Sequence, residues 1–276
     1  MLLEGNRPYF ENEARSERFY RALLQPPIYG VLFEEGKWTS FFLEGVNKVE
    51  EACINNNICH HEFDHIFQVS NNVFTLMDTL PIYQDQHADS QGLFLSFIHD
   101  LGYGFRGVQW ENYHAYNHPT YGAEVMSRFE RMYLSGKLST IHPSHVALQR
   151  DHMLNYLTVS GTTEEIVEFS RTSLIPLIVR ASDKLDYFRR KRLEGLPKPS
   201  RYEDNPYYFL CEVVKDYHIN FEGQVLYYVV SLEKNGLDFD TWKNEVQKYY
   251  PSVFEVPKSF AEIIGGKFVV ALKKND

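Results

Sequence analysis

The sequence predicts a mainly α fold: a helical domain over residues 1–199 carrying a small α+β appendage over 200–276. Three observations lead there. Apolar residues recur at three- and four-residue steps through most of 60–195, the period of a helix with one buried face. After the turn-rich stretch LEGLPKPSRYEDNP that pattern gives way to YHINFEGQVLYYVVSL, which reads as two strands around Glu222-Gly223. A chain of 276 residues is also long enough for one large core or two modest ones.

Taken in order, residues 1–35 read as short helix and turn, broken by Pro26-Pro27 and Gly30. Residues 65–80 carry Ile66, Val69, Val73, Leu76 and Leu80 on one helical face. A helix over about 88–101 follows, and then a loop over 103–117 rich in glycine, asparagine and aromatic residues. Further helices are predicted over 119–134, 143–158 and 174–192. In the appendage, 240–250 reads as helix and 267–272 as a last strand. The aromatic run QVLYYVVSL suits a hairpin core, and would equally suit an interface in a homo-oligomer.

Composition narrows the function classes. With 43% apolar and 24% charged residues the chain has the balance of a soluble globular protein, and 15% aromatic residues argue against disorder. A formal charge of -9 disfavours general nucleic-acid binding and anionic membranes, because polyanions demand local basic density. The longest basic run, Arg189-Arg190-Lys191-Arg192, reads as a solvated helix end. Cys53, Cys59 and Cys211 give no disulfide framework. Cys53 and Cys59 precede His60-His61 but lack a second ligand pair for structural zinc, so they read as small core residues. MLLEGNRPYF has no basic or apolar leader pattern and no 18-residue apolar stretch occurs, so a cytoplasmic location is expected.

The chemistry centres on His99-Asp100 within LFLSFIHDLGYG. Leu93, Phe94, Leu95, Phe97 and Ile98 make that helix apolar on every side, and such a helix is buried. A buried carboxylate costs several kcal/mol unless it is paired or bound to a metal. Gly102 and Gly104 supply the stop.

Ten of the eleven histidines lie between residues 60 and 152, so position on each helix has to separate them. His65 falls within about 40° of Val69 and about 20° of Leu76 at 100° per residue, on the border of the buried stripe. His61 lies further out. His118 and His142 each precede proline, which places them at helix starts. His142 reads as a cap, whereas His118 is followed by Gly122-Ala123 and suits a ligand. His152 faces inward between Leu148 and Tyr156, and His145 lies nearer the exposed helix start. Asp183, one turn after Val179 and one before Tyr187, points to the packed side, with Asp186 a turn away. An ion pair of Asp183 with Arg180 is the plain alternative. Lys184 is the poorer partner, since adjacent helical residues do not face each other.

In chain order these residues are His65, His99-Asp100, His118, His152 and Asp183, with HDLGY in the middle and SDKLD at the end. The ordered set resembles the HD-domain superfamily of metal-dependent phosphohydrolases over residues 60–190. The resemblance implies an HD-domain-like helical bundle holding metal on His65, His99, Asp100 and Asp183. HPTYGA at 118–123 and RDHM at 150–153 look like the extra histidine positions of members with two metals. It therefore implies a binuclear site in which His118 and His152 serve the second ion and Asp100 bridges. Where many members carry lysine this chain has Tyr103, so Tyr103, Arg106 or Lys184 would take that role at the leaving group.

Mixed imidazole and carboxylate ligands suit two divalent transition-metal ions (Fe, Mn, Co, Ni or Zn) better than Mg or Ca. Two such ions about 3.5–4 Å apart generate a bound hydroxide and neutralise phosphoryl oxygens, so no serine or cysteine nucleophile is required. No triad context or Gly-rich phosphate loop stands in the chain. Glu62, Asp64, Glu111 and Asp186 are the acids that could orient the histidines. Tyr103, Tyr113 and Tyr116 pack the loop or flank a base or sugar ring. The expected activity is hydrolysis of a small phosphorylated molecule, a nucleotide or cyclic nucleotide. A di-iron oxygenase of the same superfamily and a non-enzymatic ligand-sensing module stand as the other two readings.

One outcome follows from the His-Pro motif alone. The His118→Ala variant should fall from two bound metal ions toward one by elemental analysis, and an unchanged count would strike His118 from the ligand set.

Overall fold

The computed structural model describes residues 13–24, 43–49, 51–52, 63–80, 83, 86–100, 102, 162–169, 173–188, 206–233 and 237–273. Among them helices dominate, and a three-stranded sheet lies toward the C-terminus. The order is α1 (Glu13–Leu24), α2 (Phe63–Met77), α3 (Gln86–Ile98), α4 (Thr163–Phe169), α5 (Ile175–Leu185), α6 (Pro206–Val213), β1 (Val214–Glu222), β2 (Val225–Leu232), α7 (Phe239–Tyr249), α8 (Ser252–Ile263) and β3 (Lys267–Leu272). Residues 43–49 and 51–52 are also helical. The helices expected over 119–134 and 143–158, with His118, His142, His145 and His152, lie outside the described residues. So does the expected domain boundary near 200.

Helix α2 forms along its apolar stripe, and Ile66, Val69, Val73 and Leu76 are fully buried. Helix α3 has no polar face over its second half, so packing encloses it: Leu93, Phe94, Leu95 and Phe97 are all buried. The two helices approach closely at Gly92, where a Cβ would stand 2.9 Å from Val73 Cγ1 and 3.0 Å from Met77 Cε. Only glycine lets α3 lie this near. Arg18 of α1 then ties the pair together. Its guanidinium forks onto Asp89 at 2.8 and 2.6 Å and reaches Asp78 at 2.8 and 2.9 Å, so α1 spans the turn between α2 and α3. Helix α5 starts at Ile175-Pro176, proline being well placed in a first turn, and packs on α2 and α8.

The sheet order is β1-β2-β3. Strands β1 and β2 pair antiparallel across Gly223 and Gln224, whose φ values of 51° and 69° make a turn of mirror-image hand that matches strand twist. Strand β3 runs parallel to β2, so the chain must cross over, and α7 and α8 are that crossover. Asp238 caps α7, accepting from Thr241 N–H at 2.9 Å and Thr241 Oγ1–H at 2.6 Å, which holds its carboxyl below the usual range. At the end of α8, Gly265 takes φ 77° while Gly265 N–H reaches Glu262 O at 3.0 Å and Gly266 N–H reaches Ala261 O at 2.7 Å. At Gly266 the carbonyl oxygen of Gln224 occupies the space a Cβ would need, and that same oxygen accepts from Lys267 N–H at 2.8 Å to begin β3.

One face of the sheet buries Tyr217, Leu226, Tyr228 and Val230 against helices bearing Trp242, Val253, Phe254 and Phe260. Phe188, three residues past α5, meets Trp242 edge-on at 5.9 Å and Tyr250 at 6.0 Å. A continuous apolar core therefore runs from α1 to the sheet. Several boundaries differ from expectation. Helix α3 closes at Ile98, leaving His99-Asp100 in the turn beyond it, and regular α5 geometry closes at Leu185. Helices α4, α6 and α8 were not expected, the last because Pro257 lies inside it. Among the described residues no helix is long and apolar enough to cross a membrane.

Trp242 is fully buried and its indole N–H finds no hydrogen-bond partner among the described residues. Trp242→Ala should therefore cost about 3–5 kcal/mol through the cavity it leaves, whereas Trp242→Phe, which also removes an unsatisfied donor, should cost clearly less. Urea unfolding of the two variants beside the parent protein measures both values.

Candidate metal centre

Four side chains from three elements converge in the interior between α2, the end of α3 and α5. His65 lies on the first turn of α2, His99 and Asp100 in the turn after α3, and Asp183 on the last turn of α5. Their exposures are 1%, 4%, 2% and 5% in that order, so the four groups lie out of contact with bulk water. His65 Nε2 stands 3.3 Å from His99 Nε2, 3.1 Å from Asp100 Oδ2 and 3.6 Å from Asp183 Oδ1. His99 Nε2 lies 3.3 Å from the same Asp100 oxygen and 3.7 Å from the same Asp183 oxygen.

The tautomers decide what those distances mean. His99 Nδ1 lies 2.5 Å from the carbonyl oxygen of Ser96, which can only accept, so Nδ1 carries the hydrogen. His65 Nδ1 lies 2.7 Å from Asp186 Oδ2, again an acceptor, and the same reasoning applies. In the neutral rings both Nε2 atoms then present lone pairs, and they aim them at each other and at two carboxylate oxygens. With both rings neutral these are four electron-rich atoms in one buried space, an arrangement that a cation among them would stabilise. The separations fit one. Bonds of about 2.1 Å make neighbouring ligands about 3.0 Å apart in an octahedral shell and about 3.4 Å in a tetrahedral one. Nitrogen and carboxylate donors together favour a transition metal over Mg or Ca. The buried group of His65, His99 and Asp100 could hold a metal ion, and Asp183 Oδ1 lies 3.6 and 3.7 Å from the two imidazole nitrogens of that group.

The surroundings orient these ligands. Helices α2 and α5 run antiparallel, since His65 meets Asp186 while Asn72, one heptad further on, reaches the carbonyl of Ser182 at 3.2 Å. Asp186 is fully buried and accepts on both oxygens, from His65 Nδ1–H and from Tyr217 O–H at 2.9 Å. Of the four acids considered for this orienting role, Asp186 fills it for His65, while a backbone carbonyl serves His99. Glu62 and Glu111 lie outside the described residues. Tyr217 carried no signal in the sequence, being a strand residue remote from the helical motifs.

Lys184 requires a correction. Its Nζ pairs with Asp183 Oδ2 at 3.1 Å, although the two are adjacent on one helix. Backbone directions diverge there, as expected, but four methylenes let the ammonium curl back. Asp183 thus turns one oxygen toward the imidazoles and the other toward Lys184. Burial and the nearby Arg180 guanidinium push the Lys184 ammonium down to about 8, with the Asp100 carboxylate pulling upward. Burial also lowers Arg180, again opposed by Asp100. Arg180 and Lys184, one turn apart, therefore place two cationic groups beside the acidic donors. His118 and His152, expected at a second ion, belong to the residues outside the description, as do Tyr103 and Arg106.

No protein-family model, curated protein or solved structure matches this chain.

Asp100→Ala should reduce bound metal to background while leaving the far-ultraviolet circular dichroism unchanged. Full metal content in that variant, read by elemental analysis, would remove Asp100 from the centre.

Proposed function

We propose that this protein is a metal-dependent phosphohydrolase of the HD-domain type, acting on a small phosphate ester, a nucleotide or cyclic nucleotide. The observation that carries the reading is the convergence of His65, His99, Asp100 and Asp183, from three separate elements, onto one buried centre with both Nε2 atoms turned inward. The same four positions, in the same chain order, carry the resemblance to that superfamily. The mainly helical surroundings support the reading.

A divalent transition metal held there supplies a more acidic water and positive charge against phosphoryl oxygens. The chain's own residues do the rest. His65 and His99 give nitrogen donors with fixed tautomers, Asp100 and Asp183 give oxygens, and the apolar helix α3 keeps bulk water away. Arg180 and Lys184 add the cationic flank that an anionic substrate needs, and in this proposal Lys184, paired with Asp183 at 3.1 Å, serves the leaving-group oxygen. His118, His152 and Asp100 would hold a second ion in this proposal.

The test combines elemental analysis of purified protein with a panel of phosphomonoesters and cyclic nucleotides. Stoichiometric transition metal is expected, with phosphate-ester cleavage that chelation abolishes and Mn, Co, Fe, Ni or Zn restores. Cleavage that survives complete metal removal would overturn the proposal. Stoichiometric iron with dioxygen uptake and no cleavage would place the protein among di-iron oxygenases instead.

A further inference from the structure

Behind the metal-facing atoms a chain of hydrogen bonds crosses from the helices into the C-terminal sheet. Asn72 Nδ2–H of α2 donates to the Tyr217 phenol oxygen at 2.8 Å and also to the Ser182 carbonyl at 3.2 Å. Tyr217 O–H of β1 donates to Asp186 Oδ1 at 2.9 Å, and His65 Nδ1–H donates to Asp186 Oδ2 at 2.7 Å. Asn72, Asp186, Tyr217 and His65 are all buried, so water does not compete for these bonds. The Tyr217 ring is itself fixed, tilted against Tyr228 of β2 at 5.4 Å.

Direction matters in this chain. The amide of Asn72 can only donate through nitrogen, so the phenol oxygen accepts from it and turns its hydrogen to Asp186. Asp186 then has one oxygen claimed by Tyr217, and its other oxygen stays directed at His65. A buried carboxylate with a second donor holds its geometry, and with it the ring it orients.

We propose that Tyr217 is a positioning residue of the metal centre, acting through Asp186 to hold His65 with Nε2 facing the ion, and so making the C-terminal sheet a working part of that centre. This rests on the metal-binding reading above. Among the described residues the phenol is linked to the centre through the Asp186 carboxylate.

The experiment uses full-length protein stripped of metal and titrated with Co(II), following the visible absorption bands that report ligand geometry. Wild-type protein, Tyr217→Phe, Asp186→Asn and the double variant are compared, with thermal unfolding of each metal-free form as a check on folding. Tyr217→Phe should weaken Co(II) binding by about 10- to 100-fold and shift the absorption bands, the size usual for losing a partner behind a ligand. The double variant should lose no more than Asp186→Asn alone, because Tyr217 acts only through Asp186. A wild-type affinity and spectrum in Tyr217→Phe would overturn the proposal, as would fully additive losses in the double variant. Should Tyr217→Phe not fold, Asn72→Ala leaves the phenol in place and removes its orienting donor together with the bond to the Ser182 carbonyl, so thermal unfolding of the metal-free variant is read beside its Co(II) affinity. Weakened binding is then expected, and an unchanged affinity overturns the proposal. Failure of the wild-type protein itself to bind Co(II) would defeat the metal reading, whereas tight wild-type binding with unaffected variants would defeat this inference alone.

Discussion

Two imidazole nitrogens and two carboxylate oxygens, all lone-pair donors, are gathered in a dry interior, and the rest of the molecule is arranged to keep them there. Their mutual repulsion is worth far more at low dielectric than in water. Helix α3 drives the doublet inward because its apolar surface has nowhere else to go, and Gly92 lets α2 close upon it. The Asp186 carboxylate and the Ser96 carbonyl then fix the far nitrogens of both rings. Packing supplies the force, and hydrogen bonds supply the aim.

This division explains what could be read from the sequence. Residues that join a periodic apolar stripe were legible, since burial follows from spacing. His65 beside Val69 and Leu76, Asp183 between Val179 and Tyr187, and the doublet at the end of an all-apolar run belong to this class. So do the hairpin and β3, whose alternation and turn residues are local signals. What escaped depends on reach or on distant partners. Lys184 bends back to Asp183 because a flexible stem ignores the angle at which its Cα points. Asp186 could be named as one of four acids but not chosen, because the choice is made by tertiary contact. Tyr217 could not be named at all. Helix α8 was hidden by Pro257, which costs a helix interior about 3 kcal/mol and is outweighed here by burial of Val253, Phe254, Val256, Phe260 and Ala261.

The C-terminal part is packed as closely into the molecule as any helix of the N-terminal part. Helix α8 lies along α5, the helix that carries Asp183. Phe188, just past that helix, is sealed by Trp242 and Tyr250. Strand β1 enters the same region from the other side through Tyr217. Helix α5 is therefore held between helix α2, which carries His65, and the crossover helix α8, which restricts how far Asp183 and Lys184 can shift relative to the rings.

The bond between His65 and Asp186 joins positions 121 residues apart, and that between Asn72 and Tyr217 joins positions 145 apart. Closing loops of that length carries an entropic cost before any contact rewards it, and topologies rich in such contacts form slowly. An unfolded chain scatters these donors and offers an ion no comparable grip. A cation selective for the native state would thus raise its population by mass action.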